Sequence, residues 1–119
     1  MAAKRGATRR GPCTWETVLA IGRELPGVEE GTSYGTPALK ANGKLLARLH
    51  QDGVSLVVRI DFDSRDVLIQ ADPTTFYITD HYRDYQAMLV RLSAVREADL
   101  RRLIEQAYRD FGPRKRPTR

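Results

Sequence analysis

The pair Asn42-Gly43, set between the runs Ala38 to Ala41 and Lys44 to His50, is the feature that most limits what this chain can become. Asparagine and glycine tolerate the two consecutive left-handed backbone positions that a two-residue type I′ hairpin turn requires. The pair therefore joins two antiparallel strands. A second turn at Gln51-Asp52-Gly53 leads into the apolar run Val54 to Ile60, and the pattern predicts a three-stranded meander.

Because strand side chains point alternately to opposite faces, each strand can be sorted into two sets. Leu45, Ala47 and Leu49 fall on one face of the second strand, with Lys44, Leu46 and Arg48 on the other. In the third strand Leu56, Val58 and Ile60 match the inward set, and Ser55, Val57 and Arg59 the outward set. Helices covering the inward face would leave the outward one to water or to a partner.

Before the meander, Trp15, Val18, Leu19 and Gly22 recur at helical spacing, widened by Ile21 and Leu25. Thr14 is a suitable cap and Pro26-Gly27 a stop, so a helix is expected from Thr14 to Leu25. The segment Val28 to Pro37, VEEGTSYGTP, is rich in glycine and hydroxyl residues and is expected to be a loop. It lacks the Gly-Lys-Ser/Thr ending and following helix of a phosphate loop. After the meander, Ser64 to Gln70 predicts a two-turn helix with Asp63 and Ser64 as candidate caps, ended ahead of Pro73. Phe76 to Thr79 and Gln86 to Leu92 supply two further strands. Leu100, Leu103, Ile104, Ala107, Tyr108 and Phe111 mark one face of a last helix, closed by Gly112-Pro113. The expected fold is α+β, a two-layer α/β arrangement of order α-β-β-β-α-β-β-α, with one five-stranded antiparallel sheet covered by helices on one face.

The 119 residues fit one domain, and no apolar run approaches the ~20 residues of a membrane span. With neither a secretory signal nor a span, a cytoplasmic protein is the expectation. A single cysteine, Cys13, excludes an intrachain disulfide and is expected to lie outside the fold. The net charge of +5 is unevenly placed. Lys4, Arg5, Arg9 and Arg10 give residues 1–13 a charge of +4, and Arg114, Lys115, Arg116 and Arg119 give residues 112–119 another +4. Residues 14–111, the expected domain, keep 12 basic and 15 acidic residues, a net −3. The two basic ends are expected to be flexible tails that attract polyanions without sequence preference.

The stretch DPTTFYITDHYRDYQAMLVRL, Asp72 to Leu92, follows a G-T-P-A-L hairpin with Gly43-Lys44 at its second strand and precedes a leucine- and alanine-rich helix. In Asp72-Pro73, Phe76, His81-Tyr82, Tyr85 and the Leu89 to Leu92 strand, it resembles the MmcQ/YjbR family over about residues 14–111. The resemblance implies a two-layer α/β fold with one antiparallel sheet, and a DNA-binding role through a double-wing arrangement. It implies no catalytic set.

Chemistry-bearing constellations are sparse. His50 and His81 lie near Asp52 and Asp80, without the short ligand spacing of a metal site. No G-x-S-x-G elbow occurs, and Asp61, Asp63 and Asp66 suit turns and caps. Neither an enzymatic activity nor a cofactor is expected. The outward strand positions, by contrast, collect Lys40, Lys44, Arg48, Arg59 and Arg91, with Leu46, Val57 and Tyr77 among them. Cations there can meet phosphates while Tyr77 stacks on a base. Exposed strands also carry Lys and Arg simply to discourage edge pairing. The leading expectation is a nucleic-acid-binding accessory protein, with DNA as partner and the sheet face and tails as contacts. The alternative is a non-catalytic protein-interaction module, and a third reading is a small-ligand pocket at the turn of His50, His81 and Tyr82.

Overall fold

The computed structural model describes residues 12–113. Its elements run α1 (Trp15–Gly22), β1 (Val28–Ser33), β2 (Thr36–Ala41), β3 (Lys44–Leu49), β4 (Ser55–Arg59), α2 (Phe62–Ala71), β5 (Phe76–Tyr77), a 3-10 turn at Asp80–Tyr82, β6 (Ala87–Arg91) and α3 (Glu97–Phe111). The strands form one antiparallel sheet in the order β1-β2-β3-β4-β6-β5. Asn42 and Gly43 take φ of 49° and 83°, the two left-handed positions on which the hairpin argument rests.

The sheet has six strands among the described residues, where five were expected. The additional one is β1, from the segment assigned to a loop. VEEGTS has one apolar residue, because an edge strand needs little burial when its backbone is paired on one side only. The turn from β1 to β2 is again two residues, with φ of 54° at Tyr34 and 80° at Gly35. A left-handed backbone costs roughly 1 kcal/mol or more at a residue with a Cβ, and tyrosine has no short side chain to offset it.

A β-bulge explains the second departure. Leu39 pairs with Ala47 and Lys40 with Leu45, so Leu46 opposes no residue of its own. The alternation therefore slips by one, and Leu46 and Ala47 both enter the core. Leu45 pairs with Lys40 on the other face, reversing the expected places of Leu45 and Leu46. Beyond the bulge Ala47 and Arg48 lie as the alternation predicts.

Helices α1 and α3 pack on one another, and α3 also covers β3 and β4. Leu39, Leu46, Leu56, Val58, Met88 and Val90 face Val18, Ile21, Leu100 and Ile104 in one cluster. Gly22 lets α1 approach β2, since a Cβ there would fall 2.8 and 2.9 Å from the two methyls of buried Leu39. Cys13 belongs to this core: it is buried, and its N–H donates to Leu92 O at 3.1 Å. The expectation that it lies outside the fold is thus corrected. None of the helices described is long and apolar enough to cross a membrane.

Helix α2 starts two residues before the expected position, because its cap is Asp61 rather than Asp63 or Ser64. Asp61 Oδ2 accepts the Ser64 N–H at 2.9 Å, and Oδ1 accepts from Gln106 of α3 at 3.3 Å. Donation from the Ser64 amide, then from its hydroxyl, holds the Asp61 carboxyl below the usual aspartate range. A depressed folded pKa adds stability that is present above the unfolded value near 3.9 and lost as pH falls through the folded value. Asp61→Ala is expected to cost about 1 kcal/mol at neutral pH. Asp61→Asn keeps a capping oxygen, and it should lose less stability than the parent between about pH 5 and pH 3. Urea midpoints at the two pH values check both statements; equal acid losses for parent and Asp61→Asn would contradict the second.

Candidate nucleic-acid interface

Cross-strand pairing builds one row of side chains across the outer face: Gly31, Ala38, Arg48, Val57, Leu89 and Tyr77, each opposite the next. The expectation that this face lies open holds only in part. Tyr82, in the 3-10 turn, folds back over it and packs with Val57, Ala87 and Leu89 as a second, smaller apolar cluster. Partly buried Tyr77 and Ile78 border that cluster.

The segment carrying Tyr82 is held by Arg65 of α2, which is only 6% exposed. Arg65 Nη1 donates to the carbonyls of Tyr82 (3.2 Å), Tyr85 (2.8 Å) and Ala87 (3.4 Å), and Nη2 to that of Arg83 (3.2 Å). One guanidinium thus fixes a loop with little apolar content. Asp66 lies 3.6 Å from Arg65 Nε, too far and too exposed to replace those bonds. Arg65 shares the inward stripe of α2 with Leu68 and Ile69, three and four residues on. An arginine in an apolar stripe was the available signal for this clasp, and sequence reasoning passed over it.

The expected contact residues separate in the fold. Arg48 and Tyr77 lie in the row itself. Arg48 Nη2 donates to Tyr82 Oη at 2.8 Å, and the Tyr34 ring lies over the guanidinium, 5.0 Å from its carbon. Arg91 is exposed; it stacks over Tyr77 at 4.1 Å and donates from Nε to Thr74 O at 2.8 Å. Tyr77 Oη in turn meets Ser55 Oγ at 2.8 Å. Lys40 lies near the Asn42-Gly43 turn on the outer face, whereas Lys44 pairs with core-facing Ala41, so the bulge moves it to the helix side and corrects its expected outward place. Lys40 pairs across the strands with Glu29 and borders a half-open groove of about 270 Å³ lined also by Glu30, Gly31, Asn42 and Gly43. Arg59 stands apart, stacked at 4.3 Å over Phe111 of α3. The basic tails lie outside the described residues.

His81 is exposed and meets the Tyr82 ring edge-on at 4.7 Å, while the His50 ring stands 6.3 Å from that of Tyr82. His50 Nδ1 is 3.3 Å from Asp52. Burial works against the Asp52 carboxylate, yet donation from the amides of Val54 and Ser55 and the nearby His50 hold its pKa below the usual range. Among the described residues no three His, Cys, Asp or Glu side chains converge as a metal site would require. Tyr34 was missed by sequence reasoning altogether; its only signal is a tyrosine preceding Gly35 in a turn.

The YjbR family model matches residues 23–110. A crystal structure of a Deinococcus radiodurans protein with a DUF419 domain superposes with a TM-score of 0.71 over 85% of this chain and 80% of that one, at 21% identity. At that identity the likeness establishes shared fold alone. Among curated proteins no match is found.

Proposed function

The chain belongs to the YjbR family, and from that premise we propose that it is a nucleic-acid-binding accessory protein without a catalytic step, holding DNA on the outer face of its sheet. The observation that carries this reading is the Tyr77 and Arg91 stack on the outer face, 4.1 Å apart, with Arg91 exposed and Tyr77 half-buried. An aromatic ring beside a cation offers a base its stacking partner and the neighbouring phosphate its counter-charge. Such contacts tolerate any base, so the binding is sequence-independent. The basic ends of the chain add attraction that is screened by salt.

Fluorescence anisotropy with single- and double-stranded DNA at about 50 and 200 mM salt tests the proposal. Affinity should fall steeply with salt, and single-stranded DNA should bind more tightly because its bases are free to stack. Tyr77→Ala is expected to weaken single-strand binding by roughly 5- to 150-fold, the range for losing one stacked base. Arg91→Glu should weaken both forms and flatten the salt dependence. Binding that ignores salt, or that survives both substitutions unchanged, would remove the reading. Full-length variants with Lys4, Arg5, Arg9 and Arg10 changed to glutamine separate the contribution of that end.

A second reading rests on β1, an edge strand that leaves one side of its backbone available for pairing with an extended chain. It makes the protein an interaction module. Capture of a partner whose binding is lost on Thr32→Pro, with DNA binding absent, would favour it.

A further inference from the structure

Arg48 is 6% exposed, yet among the described residues no carboxylate pairs with it. Residues 1–11 and 114–119 contain no Asp or Glu either. A guanidinium removed from water normally meets an opposite charge. Its partners among the described residues are all neutral. Nη2 has the short bond to Tyr82 Oη, whereas Nη1 has only long ones, 3.3 Å to Thr36 Oγ1 and 3.4 Å to Leu49 O.

Tyr34 supplies an independent observation. It is 79% exposed and sits at φ 54°, where a bulky side chain is strained and asparagine or glycine is the ordinary choice. Nothing in the hairpin requires a tyrosine at that position. What the ring does is cover Arg48. Strain of this kind clusters at ligand sites, and here it sits beside a buried cation that has no counter-ion among the described residues.

We propose that Arg48, Thr36 and Tyr34 form a seat for one phosphate group, on a free nucleotide or on a nucleic acid strand. A phosphate oxygen takes the Nη1 hydrogens in place of the two long contacts, as the Tyr34 ring turns aside to stack on the attached base. The bond from Nη2 to Tyr82 holds the guanidinium plane meanwhile, so the seat is pre-formed on one side and gated on the other. As a nucleic-acid contact the seat deepens the function proposed above; as a nucleotide site it stands without it.

The test is an NMR titration of the full chain with inorganic phosphate, adenosine, adenosine 5′-monophosphate and a short single-stranded oligonucleotide, repeated on Tyr34→Asn, Arg48→Lys and Tyr77→Ala. The monophosphate should shift resonances of Tyr34, Thr36 and Arg48 while adenosine leaves them in place. Inorganic phosphate should shift Thr36 and Arg48 more weakly. Tyr34→Asn suits the left-handed turn, so it should keep or raise the melting temperature and yet weaken the monophosphate about 10-fold. Arg48→Lys keeps the charge without the planar fork and should weaken it further. If the oligonucleotide shifts the seat and loses affinity on Tyr34→Asn, the phosphate is a nucleic acid's. If the mononucleotide and inorganic phosphate shift the seat and the oligonucleotide does not bind at all, the seat stands and the nucleic-acid reading falls. Oligonucleotide binding that depends on Tyr77, with Tyr34, Thr36 and Arg48 unshifted by the monophosphate as well, overturns the seat and keeps that reading. Equal binding of adenosine and its monophosphate, or an unchanged affinity in Tyr34→Asn, also overturns it.

Discussion

Replacing Arg65 by methionine is expected to lower the unfolding free energy by about 2–4 kcal/mol. Hydrogen bonds to a charged donor each contribute ~1.5–3 kcal/mol, and four carbonyls share this one guanidinium. Against that stands the desolvation of a buried cation, several kcal/mol, which methionine avoids. The carbonyls decide the sign, because all four lose their charged donor together, and only those of Tyr82 and Tyr85 keep a loop amide, from Tyr85 at 3.1 Å and Ala87 at 2.8 Å. Arg65→Lys should recover little, since an ammonium cannot span four acceptors from one position. Urea denaturation measures the loss, and amide exchange over residues 82–87 locates it. A variant within ~0.5 kcal/mol of the parent, the scatter of ordinary surface changes, would show that the Tyr82 cluster holds the loop unaided. The same variant should loosen Tyr82 from Arg48, so damage to the outer face and to stability arise together.

Gly22→Ala should destabilise by about 1–2 kcal/mol, although helix propensity argues the other way. In a free helix alanine is better than glycine by ~1 kcal/mol. Here the new Cβ would meet both Leu39 methyls at under 3 Å, and overpacking a filled core costs ~1–3 kcal/mol. Leu39 is fully buried on β2, and in a close-packed core its methyls can yield only by pressing on their neighbours. The steric cost therefore exceeds the propensity gain. Thermal unfolding checks this directly, and a rise in melting temperature would mean that Leu39 has room.

The two hairpins of the meander were legible because their signals are local. Asn42-Gly43 names its own turn type, and the helical faces of α1 and α3 follow from spacing alone. β1 was hidden since an edge strand is selected for polarity and resembles a loop in every respect except its pairing. The Leu45 and Leu46 reversal was hidden for another reason: a bulge is a property of two strands, and no single strand's alternation contains it. The outer face was legible in composition but not in geometry. Arg48, Tyr77 and Arg91 are there, yet only the folded chain shows that Tyr82 returns over the sheet, that Arg59 has turned to Phe111 and that Lys40 stands across the strands from Glu29. Arg65 shows the limit most clearly, because a helix-surface arginine and a buried clasp differ only in what stands opposite.

The unpaired Leu46 also bears on how such chains diverge. Gaining or losing one residue at that point shifts the phase of β3 on one side of it and leaves the other side untouched. A lineage can thereby exchange the residues shown on the outer face for those facing the helices without changing strand count or hairpin turns. Two relatives aligned residue by residue through this strand can thus present opposite surfaces while sharing the same fold, and comparing their outer faces requires the pairing register rather than the alignment column.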